Sequence, residues 1–372
     1  MKKRQANFEL LRIIAMYMVV ILHYLNHYVG SLFFDLKTDG LTITAVVLES
    51  FCIVAVNAYV LLSGYFLSAR PFSLRRLVCL ILQVLFYTIL IPVLLAFLGV
   101  LSFSEILDPY RVWNSLFPVQ SGHYWFVSAY VVMALFSPFL NAALDKLEKK
   151  QLELALAGLL VFFCAGKSLS PLQFATDRYG YDFGWFLVLY LLGGYLQKFG
   201  LPFMKSAARG WAVYLGSAGL IAALELLLLW AGKHFEGLRY YASVPFHYNF
   251  LLCLTGALGL FYGFSHMRIQ RKRLADAIRW LSPAVFGVYL IHEQADVSLR
   301  WYGWLNALTA PLGLDAAAVT AGKEDPFRVL WFLAAMLVQV TILFVCCAAA
   351  DKLRGLLFAR IQKRMRKQER SV

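Results

Sequence analysis

The first apolar run of the sequence, ANFELLRIIAMYMVVILHYLNH from Ala6 to His27, holds four side chains able to carry charge or move protons: Glu9, Arg12, His23 and His27. An imidazole can take a proton from a hydroxyl near neutral pH, as general base catalysis requires. A guanidinium holds an anion. Arg12 and His23 are eleven positions apart, which on a helix returns them to within roughly 20° of one face and separates them by about 16 Å along the axis. That face would present a cation near the inner membrane surface and an imidazole deeper, toward the outer half. An anionic ligand arriving from the cytoplasm would meet Arg12 first and place its far end near His23. Two plainer readings stand beside this one. Arg12 can snorkel to the headgroups and pair with Glu9 at i−3, and His23 can hydrogen-bond a neighbouring helix. A metal at His23 and His27 would need further ligands, and the sequence holds no HExxH or comparable set, so no metal is expected.

The rest of the chain says what must position these groups. Of 372 residues, 61% are hydrophobic and 15% charged, against about 45 to 50% apolar and about 25% charged in soluble domains. Mean hydropathy is +0.66. Too little polar surface remains for a water-facing fold, which excludes disordered, collagenous, disulfide-scaffold and cytosolic classes. The expected fold class is all-α: a polytopic integral membrane protein of about ten helices, at about 20 to 25 residues per span, forming one domain over residues 1–372. Cys52, Cys79, Cys164, Cys253, Cys346 and Cys347 all lie in apolar runs without CxxC spacing and read as small hydrophobes. The N-terminus has a basic start and an apolar run but no small-x-small cleavage site, so a retained first helix is expected.

Apolar windows place spans near 8–28, 41–67, 74–99, 124–142, 151–166, 183–199, 211–232, 246–265, 279–297 and 327–350. With the N-terminus cytoplasmic, 25 of the 35 Lys and Arg fall in inner segments, nine fall in outer ones, and Arg12 lies inside a span. Each inner segment holds at least three. This asymmetry fits the positive-inside rule and puts both termini in the cytoplasm. The net charge of +14 is therefore a matter of topology, with no need of nucleic acid. The basic tail at about 352–372 reads as a solvated charge cluster that can touch anionic lipid.

Other polar groups have two readings each. Arg75 and Arg76 open the third span, where they could hold polyphosphate or simply obey topology. His123, Trp125 and Phe126 stand at the outer start of the fourth span, where aromatic residues anchor membranes but also stack on sugars. His123 and Trp125 are thus acceptor-side candidates. His292 and Glu293 sit near the outer end of the ninth span. As helical neighbours they would point about 100° apart, so one is expected to line a cavity while the other packs. Asn57 is expected to hydrogen-bond between helices. Glu49 and Glu225 are left open.

The Arg-x10-His spacing within NFELLRIIAMYMVVILHY resembles the signature of membrane acyltransferase family 3, the ten-helix O-acyltransferases. The resemblance continues through LLSGYFL at 61–67, Arg75 and Arg76, HYWFVSAYVVMALFSPFLN at 123–141, GWFLVLYLLGGYL at 184–196 and GVYLIHE at 287–293. It implies a multi-pass enzyme of the bacterial plasma membrane. Such an enzyme moves an acyl group, commonly acetyl, from cytoplasmic acyl-coenzyme A to a hydroxyl of an extracytoplasmic or lipid-linked glycan, with acetyl-CoA as donor substrate and no bound cofactor. In that reading His23 matches the catalytic histidine and Arg12 the essential arginine. Arg75 and Arg76 match the basic cluster that holds the coenzyme A phosphates. Members often repeat an arginine one turn later, where this chain has Cys79. A transporter or flippase for a lipid-linked sugar or polyol is the alternative, because intrahelical Arg, His and Glu also suit a proton-coupled carrier.

Overall fold

The structure is a computed structural model that describes residues 4–29, 39–169, 177–316 and 327–369. Lys2, Lys3, Lys37, Lys323, Arg370 and parts of three expected joints lie outside the described residues. The described chain is all helical. Its principal helices are α1 (Ala6–Val29), α2 (Gly40–Cys52), α3 (Ala55–Leu67), α4 (Leu74–Phe97), α5 (Trp125–Lys146), α6 (Lys149–Leu160), α7 (Phe183–Phe199), α8 (Ala207–His234), α9 (Leu251–Ser265), α10 (Lys272–Leu281), α11 (Val285–His292) and α12 (Arg328–Glu369). Among the described residues, nine helical segments are long and apolar enough to cross a membrane, so the chain is a polytopic membrane protein. The remaining expected span is α7, whose 17 residues reach about 26 Å at 1.5 Å per residue.

Side-chain contacts show which joints share an end of the bundle. Asn7 Nδ2 donates to the carbonyls of Phe264 and Ser265, and Arg279 Nε donates to the carbonyl of Arg4 at 2.8 Å. Lys352 Nζ donates to the carbonyl of Trp280. Asn141 Nδ2 reaches the carbonyl of Leu67, and Lys198 Nζ that of Leu144. These joints are where the basic residues cluster in the sequence, so one end of the bundle is basic. At the other end Tyr248 N donates to the carbonyl of Tyr179, Ala295 N to His123 Nε2, and Arg111 pairs with Asp296. Helix α7 links the two ends, from the Tyr179–Tyr181 segment to Lys198.

Two of the expected spans are interrupted. The segment 41–67 breaks at Ile53–Val54 into α2 and α3. The segment at 279–297 starts earlier, at Lys272, passes through a tight turn at Ser282–Ala284 around Pro283, and leaves the helix at His292. Proline cannot donate its nitrogen to the helical ladder, which accounts for the turn at 283. Close packing depends on small residues: a Cβ on Gly64 would strike the backbone of Tyr190, and one on Gly193 the backbone of Leu61 and Tyr65. Helices α3 and α7 therefore touch backbone to backbone. Four of the cysteines are buried, whereas Cys79 and Cys346 are exposed.

Buried residues form two hydrophobic clusters. One is built on α3, α7, α8 and α9, the other on α4, α11 and α12, and α1 contributes to both. Phe8 and Leu11 belong to the first; Met16, Val20, Tyr24 and Leu25 belong to the second. The first helix is thus the seam of the molecule, and His23 lies on it.

Candidate functional site

His23 is held by residues nearly 270 positions away. Its Nδ1 lies 2.8 Å from His292 Nε2, and His292 Nδ1 lies 2.6 Å from the carbonyl oxygen of Val288. A carbonyl can only accept, so the hydrogen of that bond sits on His292 Nδ1 and its Nε2 carries the lone pair. His23 must then donate from Nδ1, which leaves the lone pair of its Nε2 uncommitted to this pair. Glu293 Oε1 is a second acceptor, 3.2 Å from the same Nδ1. Both partners favour one tautomer of His23, the one suited to remove a proton through Nε2.

The sequence expectation for His292 and Glu293 is half met. The His292 side chain is fully buried and packs, while that of Glu293 is 26% exposed. Yet both converge on His23, which simple helical geometry forbids. The reason is that α11 stops at His292. Glu293 takes φ −94°, ψ 3°, and Gln294 turns the chain by accepting from the backbone N–H groups of Asp296 and Val297. Beyond the helix the 100° rule between neighbours no longer applies.

His23 opens on a small pocket of about 40 Å³ whose walls include Tyr59, Trp125, Phe126, Tyr248 and Tyr289. Trp125 therefore joins His23. His123 does not: its Nε2 accepts from Ala295 N at 3.3 Å and its ring rests on Tyr124, so it clamps the turn that follows Glu293. Burial lowers the basicity of His123, opposed by the nearby Asp296 carboxylate. His27 stacks on Tyr302 and meets the edge of Trp301. Tyr59 and Tyr248 had no sequence signal beyond being aromatic in an aromatic-rich chain, and Tyr289 was marked only as part of GVYLIHE. Asn57 makes the expected bridge: it donates to the carbonyl of Tyr248 at 2.7 Å and accepts from Trp185 Nε1, so it fixes one wall of the pocket.

Arg12 forms the local pair. Its NH1 donates to Glu9 Oε1 at 2.5 Å, its guanidinium lies over Phe66, and the other oxygen of Glu9 accepts from Ser282. One of five donors is engaged by Glu9 in this way. At the basic end, a cleft of about 140 Å³ is lined by Arg70, Ser73, Arg76, Tyr130 and Ser137, among others. Ser73 caps α4, and Arg76 donates to the carbonyl of Pro71. Arg75 is exposed beside the cleft and does not line it. Tyr130 links this cleft to the upper pocket through its stacked contact with Phe126.

Among the described residues, His23, His292 and Glu293 are the group whose ligand atoms, within 4.8 Å of one another, could hold a metal ion. Two of those atoms are engaged in the His–His hydrogen bond. A family model described as an acyltransferase domain matches residues 5–346. No curated protein and no solved structure matches the chain.

Proposed function

The chain belongs to the acyltransferase 3 family and is a membrane acyltransferase; from that premise we propose that it moves an acetyl group from acetyl-coenzyme A to a hydroxyl of an extracytoplasmic or lipid-linked glycan in the bacterial plasma membrane. The observation that carries this reading is the fixed tautomer of His23, with Nδ1 tied to His292 and Glu293 and Nε2 available to a substrate. His23 Nε2 takes the proton of the acceptor hydroxyl as its oxygen attacks the thioester carbonyl. The tetrahedral adduct collapses by breaking the carbon–sulfur bond. The imidazolium returns its proton to the departing thiolate, so ester and free thiol leave and His23 is restored.

The donor enters at the basic end. There Arg76 and Arg70 line a cleft beside the N-terminus of α4, and a helix N-terminus favours phosphate. Arg75 adds positive potential from the rim. Arg12 assists further in, its guanidinium retaining donors beyond the one given to Glu9. The acceptor approaches from the opposite end, where Trp125 offers a ring face. In this reading the basic end, where Arg279 holds Arg4 and Lys352 holds Trp280, faces the cytoplasm.

Membranes containing the protein, supplied with radiolabelled acetyl-coenzyme A, should transfer label to envelope polysaccharide, and His23→Ala should lower that label by about 10³-fold. Label that persists in His23→Ala would overturn the role of His23. Unchanged acylation with lost glycan export in that variant would favour a carrier instead.

A further inference from the structure

A second, larger cavity lies behind the aromatic wall of the His23 pocket. It measures about 480 Å³, within the range of about 300–1,000 Å³ usual for small-molecule sites, and its lining includes Glu49, Arg178, Tyr179, Tyr181, Ser243 and His247. We propose that this cavity binds the sugar units of the acceptor that flank the reacting hydroxyl. The proposal rests on the acyl-transfer reading above and names where its acceptor is held.

The chemistry of the lining favours a neutral polyhydroxyl ligand. A carboxyl group, a guanidinium, hydroxyls and an imidazole supply acceptors and donors together, and the rings of Tyr179 and Tyr181 supply faces on which sugar C–H groups can rest. A cation would face Arg178, and an acyl chain would face all of these polar groups. The ring of His247 is 7% exposed, and its Nδ1 has no hydrogen-bond partner. A buried polar atom of this kind is costly unless something bonds it, and His247 belongs to the cavity wall.

The wall is built to hold its shape. Lys167 and Asp177 form a fully buried ion pair at 2.7 Å. Asp177 also accepts from Tyr179 N and Asn249 Nδ2, and the Lys167 ammonium lies over the Tyr179 ring. Among the described residues, Tyr179 is the non-glycine residue with positive φ, at 62°, and its ring packs on His247 with centroids 4.2 Å apart. Burying an ion pair carries a desolvation cost, and left-handed backbone at a tyrosine adds strain. Both are concentrated on the residues that present Tyr179 and His247 to the cavity.

The cavity also adjoins the reaction pocket. Tyr181 lines the cavity, Trp125 and Tyr248 line the His23 pocket, and the three rings touch, with centroids 4.4 Å apart for Tyr181–Tyr248 and 4.6 Å for Trp125–Tyr181. One layer of aromatic rings separates them. A glycan held against Glu49 and His247 has its next hydroxyl at that layer.

Two measurements on the full chain in native membranes test the assignment, with isolated envelope polysaccharide of the expression host as probe. Glu49→Gln and His247→Phe should each raise the half-saturating polysaccharide concentration about tenfold, the effect of one lost hydrogen bond to a buried polar group, with half-saturation for acetyl-coenzyme A as in the native chain. Equal changes in both constants, or no change in either variant, would overturn the proposal. Separately, Ser243→Cys should react with a membrane-impermeant maleimide several-fold more slowly when the polysaccharide is present. Equal reaction rates, or protection by phosphatidylethanolamine–phosphatidylglycerol vesicles alone, would overturn it. The maleimide readout needs no turnover. Protection without any His23-dependent label transfer would therefore sink the acyl-transfer reading while leaving a glycan-binding cavity in place.

Discussion

The two ends of α1 handle their polar groups differently. At Arg12 the partner is Glu9, three residues earlier on the same helix. At His23 the partners are His292 and Glu293, which the fold brings from α11 and the turn beyond it. The first pair can form in an isolated helix. The second exists only once α1 sits in the seam between two hydrophobic clusters and α11 has stopped at the right residue. A helix can thus neutralise a charge by itself, but it takes the assembled bundle to choose the tautomer of an imidazole.

Substitutions can break this contrast, and the largest effect is expected at His23 itself. His23→Ala should lower label transfer by about 10³-fold, in the range of a lost general base. His292→Ala removes the acceptor that sets the His23 tautomer and should cost about 10²-fold in kcat with little change in the half-saturating acetyl-coenzyme A concentration. Combined with His23→Ala it should cost nothing more, because the two act as a unit. Arg12→Ala should instead raise donor half-saturation about tenfold, and its effect should add to that of Glu293→Gln, since separate sites behave independently. A non-additive result there would mean that the two ends of α1 are coupled. Glu9→Gln, which leaves Arg12 its charge, should shift the donor constant only about two- to threefold. The smallest effect is expected from EDTA, which should leave transfer unchanged if His23 and His292 are bonded to each other. Inhibition by EDTA, restored by zinc, would assign the three residues to a metal instead.

The same contrast explains what could be read from the sequence. The polytopic class, the basic joints and the Arg12–Glu9 pair depend on composition or on spacing within one helix, and all were legible. Asn57 was legible as a bridging polar residue, though not its partners Tyr248 and Trp185. The convergence of His292 and Glu293 was not, because it follows from where α11 ends, and the sequence around residue 293 reads as continuous helix. The break at Ile53–Val54 left no trace either: the segment FCIVAV carries neither Gly nor Pro. The pocket tyrosines were hidden among 20 Tyr and 30 Phe.

The length of α1 sets a distance that the reaction must cover. His23 stands 17 residues above Ala6, about 26 Å along a helix, in a membrane whose hydrocarbon core is about 30 Å thick. The arginine-lined cleft opens at the end where α1 begins. If, as proposed, the donor phosphates bind there, the thioester end of the donor must reach across most of that thickness inside the protein to meet His23. In the proposed reaction the acyl group would thus be carried across while the acceptor stays near the far face.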